Sequence, residues 1–278
     1  MIINTMIDGA AVSHFDSLAE WMQYAASVDC KFARMSDDFT NYTTGKEFTD
    51  RIKANNAPES LKARVRDALE VSAPEQVKEV ELFDIYHDQA GLFVDMTSYT
   101  MGEQDCMVNF DIINAPRRTL WIIAPFGAYA SATDAQFANR GVALIRAVKH
   151  LQATGIDVGV VGYSTCTTAT RNTYASIHTQ TVIVKHPQNE LAESDFINVF
   201  ATCNALRSVG FAVRKADMNC ERGSTQTMLK THLKGSALEH EKVLLIEADQ
   251  QMINFRSPEK AEKFIMNQVN KELTTMGA

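Results

Sequence analysis

Residues Thr119 to Ser164, TLWIIAPFGAYASATDAQFANRGVALIRAVKHLQATGIDVGVVGYS, decide the fold. Leu120 to Ala124 is an apolar run without alternation, the pattern of a strand covered on both faces. Pro125 and Gly127 stop it, since one lacks an N–H and the other tolerates positive φ. A helix is predicted from Asp134. Its apolar stripe is Phe137, Val142, Leu144, Ile145, Val148 and Leu151, with Arg140, Arg146 and Lys149 mostly off it. Gly155 is placed to end the helix, and Ile156 to Tyr163 gives a second buried strand. A strand–helix–strand unit of this length implies a parallel pair joined by a right-handed crossover. Ligands of such sheets bind beyond the carboxyl ends of strands, which directs attention to the loop Pro125 to Thr133.

With these residues in view, the unit resembles the first third of a von Willebrand factor A (vWA) domain. The resemblance covers roughly residues 118–278. In that family the first strand leads into Asp-x-Ser-x-Ser, whose side chains hold a Mg²⁺ ion that receives a partner's carboxylate. Matching Gly127 to the family's loop glycine puts Ala124, Phe126 and Ala128 at the three ligand positions. None offers the oxygen donor that a hard cation requires. The resemblance therefore implies the fold without its usual metal, and no cofactor is expected. The segment Ala192 to Val213, AESDFINVFATCNALRSVGFAV, is similar to a stretch in vWA-like proteins of tailed bacteriophages. That second resemblance implies a viral origin.

Composition bounds the alternatives. The 278 residues suffice for one large domain or two modest ones. Hydrophobic residues make up 45% and charged residues 22%, as in an ordinary globular chain. The net charge of −7 and pI near 5.5 disfavour a general duplex-DNA binder, which needs a dominant basic field. The opening MIINTMIDGA lacks the basic and apolar regions of a signal peptide, and no apolar run is long enough to span a membrane. Five scattered cysteines (Cys30, Cys106, Cys166, Cys203, Cys220) read as reduced thiols. A cytoplasmic location follows as the expectation, in the host cytoplasm if the protein is viral.

Residues 1–116 read as a smaller α+β section and residues 117–278 as the doubly wound, mostly parallel α/β domain. In the first section, helices are predicted over 18–26, 46–53 and 61–71, with a polar loop over 37–45. Alternation at Val77, Val80, Leu82, Ile85, Leu92, Val94 and Met96 predicts two or three strands, turning at His87 to Gly91. Another strand is expected over 107–113. In the second section, a polar loop is expected over 164–173, a third strand over 181–185 and a helix over 191–208. A strand is expected over 211–214, weak helix over 221–234, a last buried strand over 243–246, and a final helix capped by Ser257 with Pro258 at its first position. Helices are expected on both faces of the sheet.

Several residue sets are candidates for chemistry, each with a plainer reading. The hydroxyls of Ser164 to Thr173 and Arg171 could hold a phosphate, but a loop whose hydroxyls satisfy nearby backbone is the favoured reading. No Gly-x-x-x-x-Gly-Lys-Ser/Thr is present, against a P-loop nucleotidase. Cys166 with His178 or His186 offers a nucleophile and a base without an orienting acid, so a structural thiol is favoured. His232 and His240 with Glu239 or Cys220 match no metal-ligand spacing. Asp134 suits a helix N-terminus and Asp249 a solvated turn.

The first hypothesis is accordingly a non-enzymatic adaptor. It would dock a protein partner through sheet-top loops 125–133, 164–173 and 186–190, using Phe126, Gly127, Tyr129, Ser131, Ser164, Thr165 and Thr167. An AAA+ ATPase partner is what the vWA resemblance implies. The rival is a factor that brings a phage polymerase to single-stranded DNA, with Arg117, Arg118, Arg207, Arg214, Lys215 and Arg222 on the phosphates.

Overall fold

The computed structural model describes residues 3–27, 57–70, 81–114, 118–128, 132–170, 173–203, 205–218, 224–249 and 252–275. The predicted helix over 46–53 and loop over 37–45 lie outside them. The α/β class holds. Strands β1 (Ile3–Ile7), β2 (Ala10–Phe15), β6 (Arg118–Pro125), β7 (Ile156–Thr170), β8 (Thr173–Lys185) and β10 (Val243–Leu245) form one sheet in the order β1-β2-β8-β7-β6-β10. Pairing is parallel at β10–β6, β6–β7 and β2–β8, and antiparallel at β1–β2 and β7–β8. Past Pro125, which pairs with Tyr163, the edge of β7 is taken by β9 (Ser224–Gln226). A separate three-stranded sheet has β5 (Met107–Asn114) between β3 (Glu81–Asp88) and the two-residue β4 (Phe93–Val94).

The central unit forms as its sequence dictates. After β6 comes helix Asp134–Ala153, opened by a capping box in which Thr133 and Gln136 satisfy each other's backbone N–H. It stops at Gly155, whose φ of 78° is the left-handed value a side chain would resist. Among the described residues the remaining α-helices are Leu18–Ser27 before it, Glu59–Glu70, the short Met96–Thr100, then Glu193–Phe196, Phe211–Met218 and Pro258–Thr275. In chain order they are α1 (18–27), α2 (59–70), α3 (96–100), α4 (134–153), α5 (193–196), α6 (211–218) and α7 (258–275).

Alternation along the strands gives the sheet two unlike faces. One carries Ile122, Val160 and Val182 and is buried by α1, α4, α6 and α7, with α2 packed outside α4. The other carries Trp121, Ile123, Val161, Tyr163 and Ile183. It is covered by Met228, Leu233 and Leu238, around the 3-10 turn Lys230–Leu233. Among the described residues, then, the long helices pack on one face only, and the expected second helical layer is replaced by a short irregular cover.

Other expectations are corrected. Ser164 to Thr170 is not a loop but the continuation of β7, paired across a hairpin with β8. Threonine suits a pleated strand, and cross-strand hydroxyl pairs such as Thr165–Thr179 absorb the polarity. Residues 211–214 are helical: four residues cannot distinguish a buried helix turn from a strand. The helix expected over 191–208 is α5 followed by π-helical turns Ile197–Ala201 and Leu206–Gly210, interrupted where Thr202 becomes extended. Residues 92–96 yield only β4 before α3 begins. β1 and β2 were not anticipated. Their turn is Asp8-Gly9 with φ of 50° and 81°, the two-residue hairpin connection for which Asp-Gly is the strongest local signal.

Candidate functional site

At the carboxyl end of β6, Ala124 and Phe126 are wholly buried and Ala128 is half-buried. Phe126 packs its ring 5.2 Å from that of Trp21, and so does not present itself to a partner as expected. Gly127 is also buried. A positive charge nevertheless sits at this rim. Arg140, expected off the apolar face of α4, is 1% exposed. Its Nη2 donates to the Phe126 carbonyl at 3.2 Å, its Nη1 to the Gly127 carbonyl at 3.0 Å and its Nε to the Phe200 carbonyl at 3.2 Å. The guanidinium also lies 4.9 Å from the Phe137 ring centroid. Burial pulls its pKa down to about 9, which leaves it charged at neutral pH. The rim is thus tied by a cation of the chain itself. Nearby, Asp249 accepts from the Asn254 N–H at 2.6 Å, a turn-forming role.

A buried polar network runs through β2, β7 and β8. On the helical face, Asp217 of α6 accepts from Ser13 at 2.5 Å, Tyr24 at 2.6 Å and His178 Nε2 at 2.9 Å. These hydrogen bonds outweigh burial and hold its carboxyl below the usual aspartate value. On the opposite face, Thr165, Thr179 and His232 Nδ1 form a chain with both links at 3.0 Å. His14 Nδ1 meets Thr181 at 2.6 Å. Burial lowers the pKa of His14 to about 4 and also lowers that of His232. Cys166 stands across the ladder from His178, and Asp217 supplies the acid that the sequence did not reveal beside them. Both Cys166 and His178 are sealed from solvent. Ser164 and Thr165 are buried in the same region, while Thr167 is half-buried.

Side chains are described for two of the cationic candidates. Arg118 is exposed, but Arg214 is buried with its guanidinium 5.2 Å from the Phe211 ring. Arg207 lies on a π-helical turn and Lys215 on α6. Arg117, Arg222, Tyr129 and Ser131 lie outside the described residues. Among the described residues no group of three or more His, Cys, Asp and Glu side chains is placed to hold a metal ion.

Exposed apolar side chains do gather, at a place the sequence reading passed over. Tyr86, Leu92, Phe93, Val94, Met96, Tyr99 and Met101 are all exposed. Phe93 and Val94 point to opposite faces of β4, so neither face is covered there. α3 has no buried residue, although Met96 and Tyr99 share one of its faces. The lobe is held in shape from within. Asp95 caps α3 by accepting from the Thr97 N–H at 2.9 Å and the Ser98 hydroxyl at 3.1 Å, and it reaches His87 of β3 at 3.3 Å. Backbone bonds Leu92 N–H to Val108 O and Asp95 N–H to Cys106 O tie the two ends of β4 to β5 and to the residue just before it. The only sequence signal was a run of Met, Phe, Leu and Tyr, which reads equally as core.

Fold and site define an α/β protein with a mixed sheet, a rim closed by arginine and an exposed apolar lobe. The chain belongs to the family described as a domain of unknown function, DUF7192, whose model matches residues 4–277. No curated protein and no solved structure matches it.

Proposed function

We propose that the protein is a non-enzymatic interaction protein, docking a protein partner through the lobe of Leu92, Phe93, Met96, Tyr99 and Met101. The observation that carries this reading is the concentration of large apolar side chains there: Phe93 is 62% exposed, Met96 63%, Tyr99 62% and Met101 71%. Aromatic residues and methionine are enriched at interface cores, and a capped helix without a buried face gives them a fixed frame. The scaffold behind the lobe reads as vWA-like. The β6–α4–β7 unit supports that, with Ala124, Phe126 and Ala128 in the ligand positions and Arg140 serving as the cation. An AAA+ ATPase is the partner class this resemblance implies. The burial of Arg214 weighs against the single-stranded DNA reading, which keeps Arg118 as its one candidate with a described, exposed side chain.

The test is site-specific photocrosslinking in native extract. A photoreactive residue replaces Phe93 in one preparation and exposed Lys271 in another. A protein adduct formed at Phe93 and absent at Lys271 supports the proposal. Adducts equal at both positions, or none at Phe93, overturn it.

A further inference from the structure

Charge identifies the chemistry of the partner that the lobe fits. The stretch 79–116 contains Glu79, Glu81, Asp84, Asp88, Asp95, Glu103, Asp105 and Asp111, and not one Lys or Arg. Its formal charge of −8 exceeds in magnitude the −7 of the entire chain, so everything outside it sums to a single positive charge. The acidity is therefore a property of this stretch, not a background that every surface shares.

The acidic groups border the apolar ones. Asp88 ends β3 at the turn ahead of Leu92, and Glu103 and Asp105 follow Met101. All three are exposed, and Asp95 lies between Val94 and Met96 with its carboxylate fixed by three hydrogen bonds. The hydrogen bonds from Thr97 and Ser98 hold that carboxyl below the usual aspartate value. At neutral pH the lobe is an apolar patch with a negative rim, and within residues 86–105 His87 is the only basic side chain.

Three occupants compete for such a surface. A second copy would bring the same acidic rim against itself, and like charges at an interface are repulsive. An anionic membrane or a nucleic acid would be repelled in the same way. A protein segment with apolar side chains at its centre and Lys or Arg on its flanks is favoured on both counts.

We infer that the lobe of residues 86–105 binds a cationic amphipathic segment of another protein, with Phe93, Met96, Tyr99 and Met101 meeting its apolar side and Asp88, Glu103 and Asp105 its basic flanks. The inference rests on the interaction reading above and adds the charge of the partner. The apolar centre holds the complex together, while the rim speeds encounter and makes it sensitive to salt.

Three fluorescent fourteen-residue peptides test it by anisotropy with the full chain: an amphipathic Leu/Lys helix, its Leu/Glu counterpart and a Ser/Lys peptide of equal charge. The expected result is binding of Leu/Lys alone, weakened about tenfold from 50 to 300 mM salt. The double variant Phe93→Ser, Met96→Ser should weaken it at least tenfold. The triple variant Asp88→Asn, Glu103→Gln, Asp105→Asn should flatten the salt dependence. Unchanged unfolding midpoints would confirm that both variants fold, as expected for exposed positions. Equal binding of Leu/Lys and Leu/Glu would overturn the inference, and so would Leu/Lys binding unaffected by the double variant. Sedimentation showing a dimer that the double variant abolishes would also overturn it, in favour of a second copy. A Phe93 crosslink to a partner segment lacking basic residues would sink the charge assignment while leaving the interaction reading intact. Absence of any Phe93 crosslink removes the interaction reading instead.

Discussion

Arg140 Nη1 lies 3.0 Å from the carbonyl oxygen of Gly127, thirteen residues back along the chain. That bond joins the middle of α4 to the loop that follows β6, and the two further bonds of the same side chain bring in Phe126 and Phe200. One planar group with divergent N–H donors thus fixes the rim from three directions. A lysine has the charge but not the fork.

The rim arginine should therefore be a stability determinant. Arg140→Met is expected to cost about 3 kcal/mol or more, since it leaves buried carbonyls without their donor. Arg140→Lys should cost about 1–3 kcal/mol. Urea unfolding followed by tryptophan fluorescence measures both. Because the cation belongs to the chain, addition of a chelator should leave the wild-type midpoint where it was.

Acidification should weaken the protein before most carboxylates titrate. His14 is buried with a pKa lowered to about 4 from an unfolded value near 6.5, so the unfolded chain takes up its proton first. The stability conferred by neutral His14 is full above pH 6.5 and declines toward pH 4, by about 3 kcal/mol at most. His232 shifts in the same direction for the same reason. Asp217, held below its usual value by hydrogen bonds, adds a loss at still lower pH. Unfolding free energies measured between pH 7.5 and 4 should fall, and His14→Gln should flatten the part between 6.5 and 4. A wild-type profile flat across that interval would contradict the assignment.

Asp217 should be the pin that fastens the N-terminal strands. Its carboxylate gathers Ser13 of β2, Tyr24 of α1 and His178 of β8. Asp217→Asn puts an N–H₂ where an acceptor is needed, and a loss of about 2–3 kcal/mol is expected. Hydrogen exchange should speed up in β1 and β2 more than in β6 and β7. Uniform acceleration across the sheet would mean that the hub is not local.

Close packing at β6–β7 gives a fourth expectation. A Cβ on Gly159 would clash with the Trp121 ring, which is itself buried. Gly159→Ala should destabilise by about 1–3 kcal/mol through overpacking. A change in tryptophan emission should accompany it.

How far the sequence could be read depended on how local the determining physics was. β6, α4 and β7 were legible because their signals lie within the stretch itself: apolar runs, the Asp134 start and the Gly155 stop. The threonines after Tyr163 were misread because their hydroxyl polarity suggests a loop, whereas their β-branching and a partner strand settle a hairpin. Arg140 was misplaced because its burial depends on carbonyls from two other segments, and hydropathy assigns a charged residue to the surface. The acid for His178 was hidden on α6, a helix read as a strand. Apolar residues at 92–101 were visible, but their exposure belongs to the tertiary arrangement and has no sequence signature.

The pairing of β2 with β8 also sets an order of events on the ribosome. Ala10 pairs with Ile177 and Phe15 with Val182, so the first strands emerge long before their seat exists. A nascent chain halted ahead of residue 173 carries β1 and β2 with nowhere to dock. The amino-terminal hairpin, although the first piece of the sheet to be made, is thereby secured only after β8 has followed it.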